Sequence, residues 1–162
     1  MNIDKDWQLI RRIFESGVGS SKHCAIASVD EQDRPHVTPI GFVFLRDDAT
    51  AFYFEQYSKA LPANFKHNRH VCLMAVNSSL AFWLRSLLRG KFLSHPGIRL
   101  HGEAGELRAA TPSELAQLRE RIGAARWLRG SALIWAGLAT VRDIKIIGAE
   151  AVRYPQMMEH LR

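Results

Sequence analysis

Two neighbouring stretches of the chain decide its fold: HCAIASVDEQDRPHVTPIGFVF at residues 23–44 and AFYFEQYSKALPANFKHNRHVCLMAV at residues 51–76. Short apolar runs alternate in them with polar turns, which is typical of antiparallel strands. We predict an antiparallel meander of strands over 23–29, 35–45 and 51–54, then a short helix over 58–68 and another strand over 70–76. Connections this short exclude parallel βαβ units.

The flanking sequence adds helices and two further strands. Apolar residues at helical spacing predict a helix over 2–16 that stops at Gly17. A second helix begins at Ser79, and the apolar face that we expect to pack over the sheet or to shape a pocket consists of Leu80, Trp83, Leu84, Leu87 and Leu88. Strands are predicted over 98–107 and 141–152, with a capped helix between them that begins at Thr111. The predicted fold class is therefore mainly β with helices (α+β), a barrel of about six antiparallel strands with about four peripheral helices.

The composition is that of one globular domain. The chain has 162 residues, of which 47% are hydrophobic and 23% charged, and its 22 Lys and Arg against 16 Asp and Glu give a net charge of +6. We predict a single domain over residues 1–162. No apolar run approaches the roughly 20 residues of a transmembrane helix. The N-terminus carries no export signal, and Cys24 and Cys72 are too few for a disulfide framework. We therefore expect a cytoplasmic protein without a transmembrane segment.

Motifs of the common catalytic and metal sites are absent from the sequence. The chain has no GxSxG, HExxH, P-loop or GxGxxG pattern. His67 and His70 have ligand-like spacing but no acidic or thiol partner nearby, so we predict no metal site. Basic residues cluster on the leucine-rich helix and again over 119–129, and the first cluster consists of Arg85, Arg89 and Lys91. Such faces attract phosphate, nucleic acid or an anionic membrane, but without a DNA-binding motif we expect no nucleic-acid partner.

The two opening stretches also carry motifs that occur in the same order in a known family. These motifs are Arg34-Pro35-His36-Val37, Pro39-Ile40-Gly41-Phe42, Tyr53-Phe54-Glu55, Ser58-Lys59 and the run from Asn64 to Val71, followed later by Gly102-Glu103-Ala104. As an ordered set they resemble the FMN-binding split-barrel superfamily of pyridoxamine 5'-phosphate oxidase-like proteins. Two features depart from it: Lys59 stands one residue early for the family's basic pair, and residues 154–162 lack the Arg-Leu-x-Pro-type motif of true pyridoxamine phosphate oxidases. Vitamin B6 synthesis is therefore not expected.

The resemblance implies an architecture, a partner and a cofactor. It implies a six-stranded antiparallel split β-barrel that forms a homodimer and binds FMN at the subunit interface. The expected function is a flavin-dependent redox reaction on a small-molecule substrate, in which the cofactor supplies the hydride chemistry. The same barrel occurs in deazaflavin-dependent and haem-binding relatives, and His67, His70 and His160 are the candidate haem ligands. A non-catalytic flavin-binding protein is the third class that stays open.

The expected cofactor site follows from the resemblance and from the chemistry of a flavin. A phosphate dianion needs fixed donors and positive charge, which Ser58 and Lys59 supply at a predicted helix start together with free backbone N–H groups. A flat ring needs a rigid strand edge, for which Pro39 and Gly41 are suited. The predicted cofactor-binding residues are His36, Thr38, Pro39, Ile40, Gly41, Phe54, Glu55, Ser58, Lys59, Asn64, Lys66, Arg99 and Trp135. No general acid or base stands out, and Glu55 and His36 are the nearest candidates.

Overall fold

One antiparallel sheet of seven strands forms the centre of the protein, which a computed structural model describes over residues 1–135 and 137–161. In chain order the strands are β1 (Cys24–Val29), β2 (Pro35–Ile40), β3 (Val43–Leu45), β4 (Thr50–Phe54), β5 (His70–Val76), β6 (Gly97–Ala109) and β7 (Thr140–Ala151). In space their order is β2-β1-β5-β6-β7-β4-β3. The predicted class, mainly β with helices in a split barrel, is confirmed, with seven described strands in place of six.

The helices connect and flank these strands. They are α1 (Ile3–Ser21), α2 (Ala60–Phe65), α3 (Leu80–Arg89), α4 (Pro112–Ile122), a 3₁₀-helix (Gly123–Trp127), α5 (Arg129–Trp135) and α6 (Pro155–Met158). The 3₁₀-helix, α5 and α6 are additions to the predicted set, because their short segments carry too little periodic pattern to be recognised. Among the described residues, no helix has the length and apolar character that crossing a membrane requires.

The predicted strand over 35–45 is wrong as a single strand. It divides into β2 and β3, which lie at opposite edges of the sheet and are separated in the chain by Gly41 and Phe42 alone. Beyond this point the chain joins the other edge, where the Phe54 N–H donates to the Phe42 carbonyl at 3.2 Å. The predicted meander is therefore two hairpins, β1–β2 and β3–β4, on opposite edges of a curled sheet.

α1 begins as predicted but continues beyond Gly17. The Asn2 side chain caps the helix by accepting the Lys5 N–H at 3.0 Å, and the helix ends at Ser21. Gly17 is buried within α1 against β5, where an added Cβ would lie 2.8 Å from the carbonyl carbon of Ala75. Gly17 is therefore needed for close packing on β5 and does not end the helix. The buried Val18 follows it, and the helix continues to Ser21. The buried residues of α1 are Trp7, Ile10, Ile13, Phe14, Gly17 and Val18.

α4 begins with the predicted capping box and is fixed by a cluster of four charges. Thr111 Oγ1 accepts the Glu114 N–H at 3.3 Å, and the Glu114 carboxylate accepts the Thr111 N–H at 2.8 Å. Arg46 and Arg108 each donate to Glu114 at 2.7 Å, and both also donate to Asp143 on β7. The hydrogen bonds from Arg108 lower the pKa of Glu114 to about 2. The cluster therefore stays ionised at neutral pH and ties α4 to the sheet.

α3 forms where it is predicted, but its apolar face points away from the sheet. Leu80, Leu84, Leu87 and Leu88 are all exposed. The helix instead packs through Trp83, Phe82 and the buried Ser86. The expectation that this face packs over the barrel or shapes a pocket is therefore wrong for the four leucines, whereas Trp83 of the same predicted face packs inward. Helical periodicity predicts an apolar face. In a helix with apolar residues on most of its circumference, however, it does not predict which side packs against the protein.

Replacing Gly17 tests the contact between α1 and β5. Gly17→Ala should lower the free energy of unfolding by about 1–3 kcal/mol, because the added methyl group overpacks against Ala75. Gly19→Ala is the matched control in the same helix, since nothing lies within 4 Å of its added Cβ, and it should raise the free energy of unfolding by about 0.5–1 kcal/mol. Urea denaturation followed by circular dichroism measures both. Equal effects of the two substitutions would contradict a packing role for Gly17.

Candidate functional site

A cavity of about 410 Å³ lies where the end of β2, the end of β4 and the C-terminal end of α5 meet. Its volume is within the range of small-molecule sites, about 300–1,000 Å³. The predicted site residues that line it are Thr38, Pro39, Ile40, Gly41, Phe54, Glu55, Ser58 and Trp135. The curl of the sheet brings these residues together, because it places the end of β2 beside β4.

The cavity has apolar walls and a polar edge. The walls come from Phe42, Phe54, Ile134, Trp135 and Leu138, and the polar groups from Thr38, Gln56 and Ser58. The Trp135 ring meets the Phe42 ring edge to face, with centroids 6.0 Å apart. The Tyr57 hydroxyl donates to the Ile134 carbonyl at 2.6 Å, which ties α5 to the loop after β4. A flat aromatic ligand with hydrogen-bonding atoms along one edge fits a lining of this kind.

Glu55 borders the cavity, but its carboxylate is already engaged. Its two oxygens accept hydrogen bonds from Nε and Nη2 of Arg142, both at 2.7 Å, and from the Tyr53 hydroxyl. The hydrogen bonds to Glu55 raise the pKa of Arg142, and burial together with Glu55 raises the pKa of Tyr53 far above its usual range. Arg142 is therefore charged and Tyr53 is a neutral donor. Glu55 is held in a buried ion pair and is not free to act as the acid or base that the sequence suggested.

Ser58 lines the cavity and Lys59 follows it in the chain without lining the cavity, and the expected free backbone donors are mostly absent. The Leu61 N–H is taken by Ser58 Oγ at 3.2 Å, and Pro62 has no N–H to offer. α2 has only six residues, and Lys59 stands at its N-cap with an exposed side chain. An anion at this point would therefore be held by the Ser58 hydroxyl and the Lys59 ammonium more than by the helix backbone.

His36 and Asn64 are engaged by other residues of the chain outside the cavity lining. His36 Nε2 lies 3.1 Å from Oδ2 of Asp30, and Asn64 is buried with its amide donating to the Ser28 hydroxyl at 2.8 Å. Although burial opposes it, hydrogen bonds from Arg34 hold the pKa of Asp30 well below its usual range. Asn64 thus holds α2 on β1, and His36 contacts a carboxylate.

Lys66 and Arg99 are exposed and lie apart from the cavity. Lys66 is the residue after the last turn of α2. Arg99 lies on β6, in one cross-strand row with Pro39, Ala25 and Met74. It is three strand spacings, or about 14 Å, from Pro39. Neither side chain reaches the cavity of its own chain.

Sequence reasoning missed several residues that line the cavity. They are Phe42, Tyr53, Gln56, Tyr57, Ile134 and Leu138. Phe42 and Tyr53 lie within the motifs that carry the resemblance, and Gln56 and Tyr57 follow directly after Glu55, so considering every residue of the motifs and the two positions after Glu55 finds all four. Ile134 and Leu138 lie on or just after α5, a helix that no sequence pattern predicted.

The chain was compared with protein families, curated proteins and solved structures. A family model described as "Pyridoxamine 5'-phosphate oxidase" matches residues 11–145. No curated protein matches the chain significantly. An FMN-binding protein from Syntrophomonas wolfei subsp. wolfei has a similar structure with a TM-score of 0.63 at 14% identity, covering 92% of this chain and 89% of its own.

Two further solved structures share the fold. HutZ, the haem storage protein of Vibrio cholerae, has a TM-score of 0.55 at 15% identity, covering 93% of this chain and 95% of its own. A protein described as an F420 reductase has a TM-score of 0.53 at 13% identity, covering 85% and 95%. Identities this low show a common fold and nothing about the ligand. The family match, which extends from within α1 to within β7 and includes the cavity residues of β2, β4 and α5, is the stronger finding: the chain belongs to the pyridoxamine 5'-phosphate oxidase family.

Proposed function

We propose that this chain binds FMN in the cavity at the ends of β2 and β4 and acts as a flavin-dependent oxidoreductase on a small molecule. The observation that carries the proposal is the lining of the cavity, which combines aromatic and aliphatic side chains with hydroxyl and amide groups. Membership of the family and the fold shared with an FMN-binding protein support it. The test is the identity of the flavin that purified protein releases.

The proposed roles follow from the position of each residue. Phe54 and Trp135 offer apolar contact to the faces of a flat ring, and Thr38 and Gln56 offer hydrogen-bonding partners to its edge. Pro39 stiffens the strand end between them, because its ring fixes φ. The residues of this chain thus bind and orient the ring and exclude water from one side of it.

For the phosphate we propose Ser58 and Lys59. The Ser58 hydroxyl lines the cavity and its oxygen is fixed by the Leu61 N–H, so its own proton is free to be donated. The neighbouring Lys59 has an exposed side chain and would supply positive charge to the phosphate. When bound, FMN supplies hydride transfer. Because the Glu55 carboxylate is engaged by Arg142 and Tyr53, proton transfer falls to the substrate or to water.

The described lining favours a flavin over haem. Haem proteins of most classes bind iron through an axial His, Cys, Met or Tyr side chain. None of the described residues that line this cavity is a histidine. Of the candidate haem ligands, His160 lies with Nε2 2.7 Å from the Phe92 carbonyl, and His67 and His70 are exposed beyond α2. A deazaflavin has the same flat ring and is separated from FMN by the test below.

We also propose a homodimer formed through the outer face of β1, β2 and β5. Apart from His70 at the start of β5, the side chains that point away from the core on these strands are apolar, which is unusual for a solvated sheet face. They are Ala25, Ala27 and Val29 on β1, Val37 and Pro39 on β2, and Cys72, Met74 and Val76 on β5. Arg99 lies in the same row as Met74. A two-fold partner on this face would bring Arg99 to the cofactor site of the other protomer.

A cytoplasmic location is part of the proposal. Cys24 and Cys72 are both free thiols. Burial raises the pKa of Cys24 to about 12, so this side chain packs in the core as a neutral thiol. Unpaired cysteines are the usual state in a reducing compartment.

Released cofactor identifies the ligand. Denaturing the purified protein and chromatographing the supernatant should yield FMN rather than FAD, because the chain has no pyrophosphate-binding loop. The visible spectrum of the native protein should show the two flavin absorption bands. A single Soret band would assign haem, a deazaflavin in the supernatant would assign that cofactor, and failure of FMN to bind the apoprotein at micromolar concentration would overturn the proposal.

Lys59 should matter more for FMN binding than Lys66. Lys59→Ala should weaken binding by about ten- to a hundred-fold, since a charge-assisted contact contributes about 1.5–3 kcal/mol. Lys66→Ala removes an exposed cation at the other end of α2 and is the matched control, which should bind like the wild type. Titration of both apoproteins with FMN, followed by flavin fluorescence, gives the two affinities. The reverse order of the variants would show that the phosphate lies elsewhere.

The proposed homodimer can be tested by the molar mass of the protein in solution and by a substitution that should dissociate it. Light scattering of the flavin-loaded protein should give the mass of two chains. Val37→Asp, on the outer sheet face, should give the mass of one chain and weaken FMN binding at least ten-fold, because burying an unpaired charge disfavours association. Ile147→Asp is the control, since Ile147 is comparably exposed but lies on β7. A wild-type protein with the mass of one chain and flavin still bound would exclude the dimer.

A further inference from the structure

α3 presents a continuous apolar surface to solvent, which we call the leucine face. It consists of Leu80, Leu84, Leu87 and Leu88, which are 81%, 53%, 63% and 78% exposed. At 100° per residue these positions lie within an arc of about 100°. Single exposed leucines are ordinary on protein surfaces, but a full helix face of them marks an interaction site.

Contacts on the opposite side of α3 fix the direction in which the leucine face points. The Trp83 indole N–H donates to the Asn77 carbonyl at 2.6 Å. The Trp83 ring meets the rings of Phe92 and Tyr154 edge to face, with centroids 5.3 and 5.7 Å apart. Phe82 stacks on the same Phe92 ring at 5.7 Å. Turning the leucines inward would break this aromatic cluster, so the leucine face is a stable external surface.

The charged residues of α3 and of the loop that follows it are all cations. Arg85 and Arg89 lie on one side of the leucine face, about 60° and 100° beyond Leu88 around the helix. Lys91 follows directly after the C-cap residue Gly90. The sequence contains no Asp or Glu from residue 56 to residue 102. Lys and Arg occur throughout that range, at positions 59, 66, 69, 85, 89, 91 and 99. The leucine face is therefore bordered by cations that have no acidic neighbour in this part of the sequence.

We propose that α3 docks this protein on an anionic lipid bilayer. The leucines would enter the boundary between headgroups and acyl chains, with the helix axis parallel to the membrane plane. Arg85, on one side of the leucine face, and Lys91, after the helix, would extend their long side chains to the lipid phosphates, and Arg89, further round the helix, would add to the positive potential. A leucine-rich face bordered by Lys and Arg is the combination that interfacial helices use, with apolar burial and electrostatic attraction acting together.

A second copy of the chain fits the leucine face less well. In a two-fold contact through α3 the same patch faces itself, so Arg85 and Arg89 of one protomer would face those of the other. Like charges brought together at an interface disfavour association unless acids neutralise them, and residues 56–102 supply none. The outer face of β1, β2 and β5 has no such border of cations on its own strands and is the better surface for a copy of the chain.

Sedimentation with lipid vesicles tests the proposal on the purified full-length protein. The wild type should sediment with vesicles that contain phosphatidylglycerol and remain in solution with vesicles of phosphatidylcholine alone, and salt should release it. The double variant Leu84→Asp, Leu88→Asp should lower the partition coefficient at least ten-fold. Arg85→Ala and Arg89→Ala should each lower it about five-fold. Leu107→Asp is the matched control on β6, where a 47% exposed leucine lies outside the leucine face, and should bind like the wild type.

Each remaining outcome would overturn the proposal. Absence of wild-type binding to anionic vesicles at low salt would do so, and equal binding to both lipid compositions would remove the role of the cations. Another outcome is that the double variant Leu84→Asp, Leu88→Asp has half the wild-type mass by light scattering while the wild type does not sediment with vesicles. The leucine face would then be a contact between copies of the chain. Circular dichroism of each variant confirms that the exposed substitutions leave the fold intact.

Discussion

The link between β2 and β3 is the constraint on which the rest of the structure depends. These strands occupy the two edges of the sheet, and only Gly41 and Phe42 separate them in the chain. Seven strands laid flat would place the edges about 29 Å apart, at about 4.8 Å for each of the spacings between strands. The three steps from Ile40 to Val43 span at most about 11 Å. The sheet must therefore curl until its edges meet, and the candidate site lies at that meeting point.

The buried ion pair of Glu55 and Arg142 stabilises the same place from inside. Glu55 follows the last residue of β4, Arg142 lies on β7, and Arg142 Nη1 also donates to the Gly105 carbonyl of β6 at 2.8 Å. One guanidinium thus connects three strands beside the cavity wall. Removing one partner of such a pair leaves an uncompensated buried charge, which costs about 3–5 kcal/mol. Glu55 therefore contributes to the site by fixing the end of β4. Its carboxylate is held in the ion pair with Arg142 and is not available as an acid or base.

How much of the fold and of the candidate site the sequence predicts depends on how far apart in the chain the interacting residues lie. The capping box at Thr111 and most strands follow from local pattern and are predicted. For α1 the pattern leaves Asn2 and Asp4 as alternative caps, and the structure selects Asn2. The resemblance to the family selects Thr38, Ser58 and other residues that the structure places around one cavity. The split of the run over 35–45 could not be predicted locally, since both halves are extended and only the tertiary fold sends them to opposite edges. The engagement of Glu55 and Asn64 depends on partners 87 and 36 residues away, which no local pattern specifies.

The leucine face of α3 and the outer face of β1, β2 and β5 differ in their charges, and the difference argues for different partners. The outer face of β1, β2 and β5 consists mostly of small and β-branched side chains, together with Met74, and this apolar surface can meet an identical copy of itself. The leucine face of α3 is convex and is bordered by Arg85, Arg89 and Lys91, so an identical copy would add like charges at its rim. A lipid surface accepts a convex apolar helix and supplies the phosphates that the cations lack. Because α3 and the outer sheet face are separate surfaces, a homodimer through the sheet would leave both of its α3 helices free to bind a membrane.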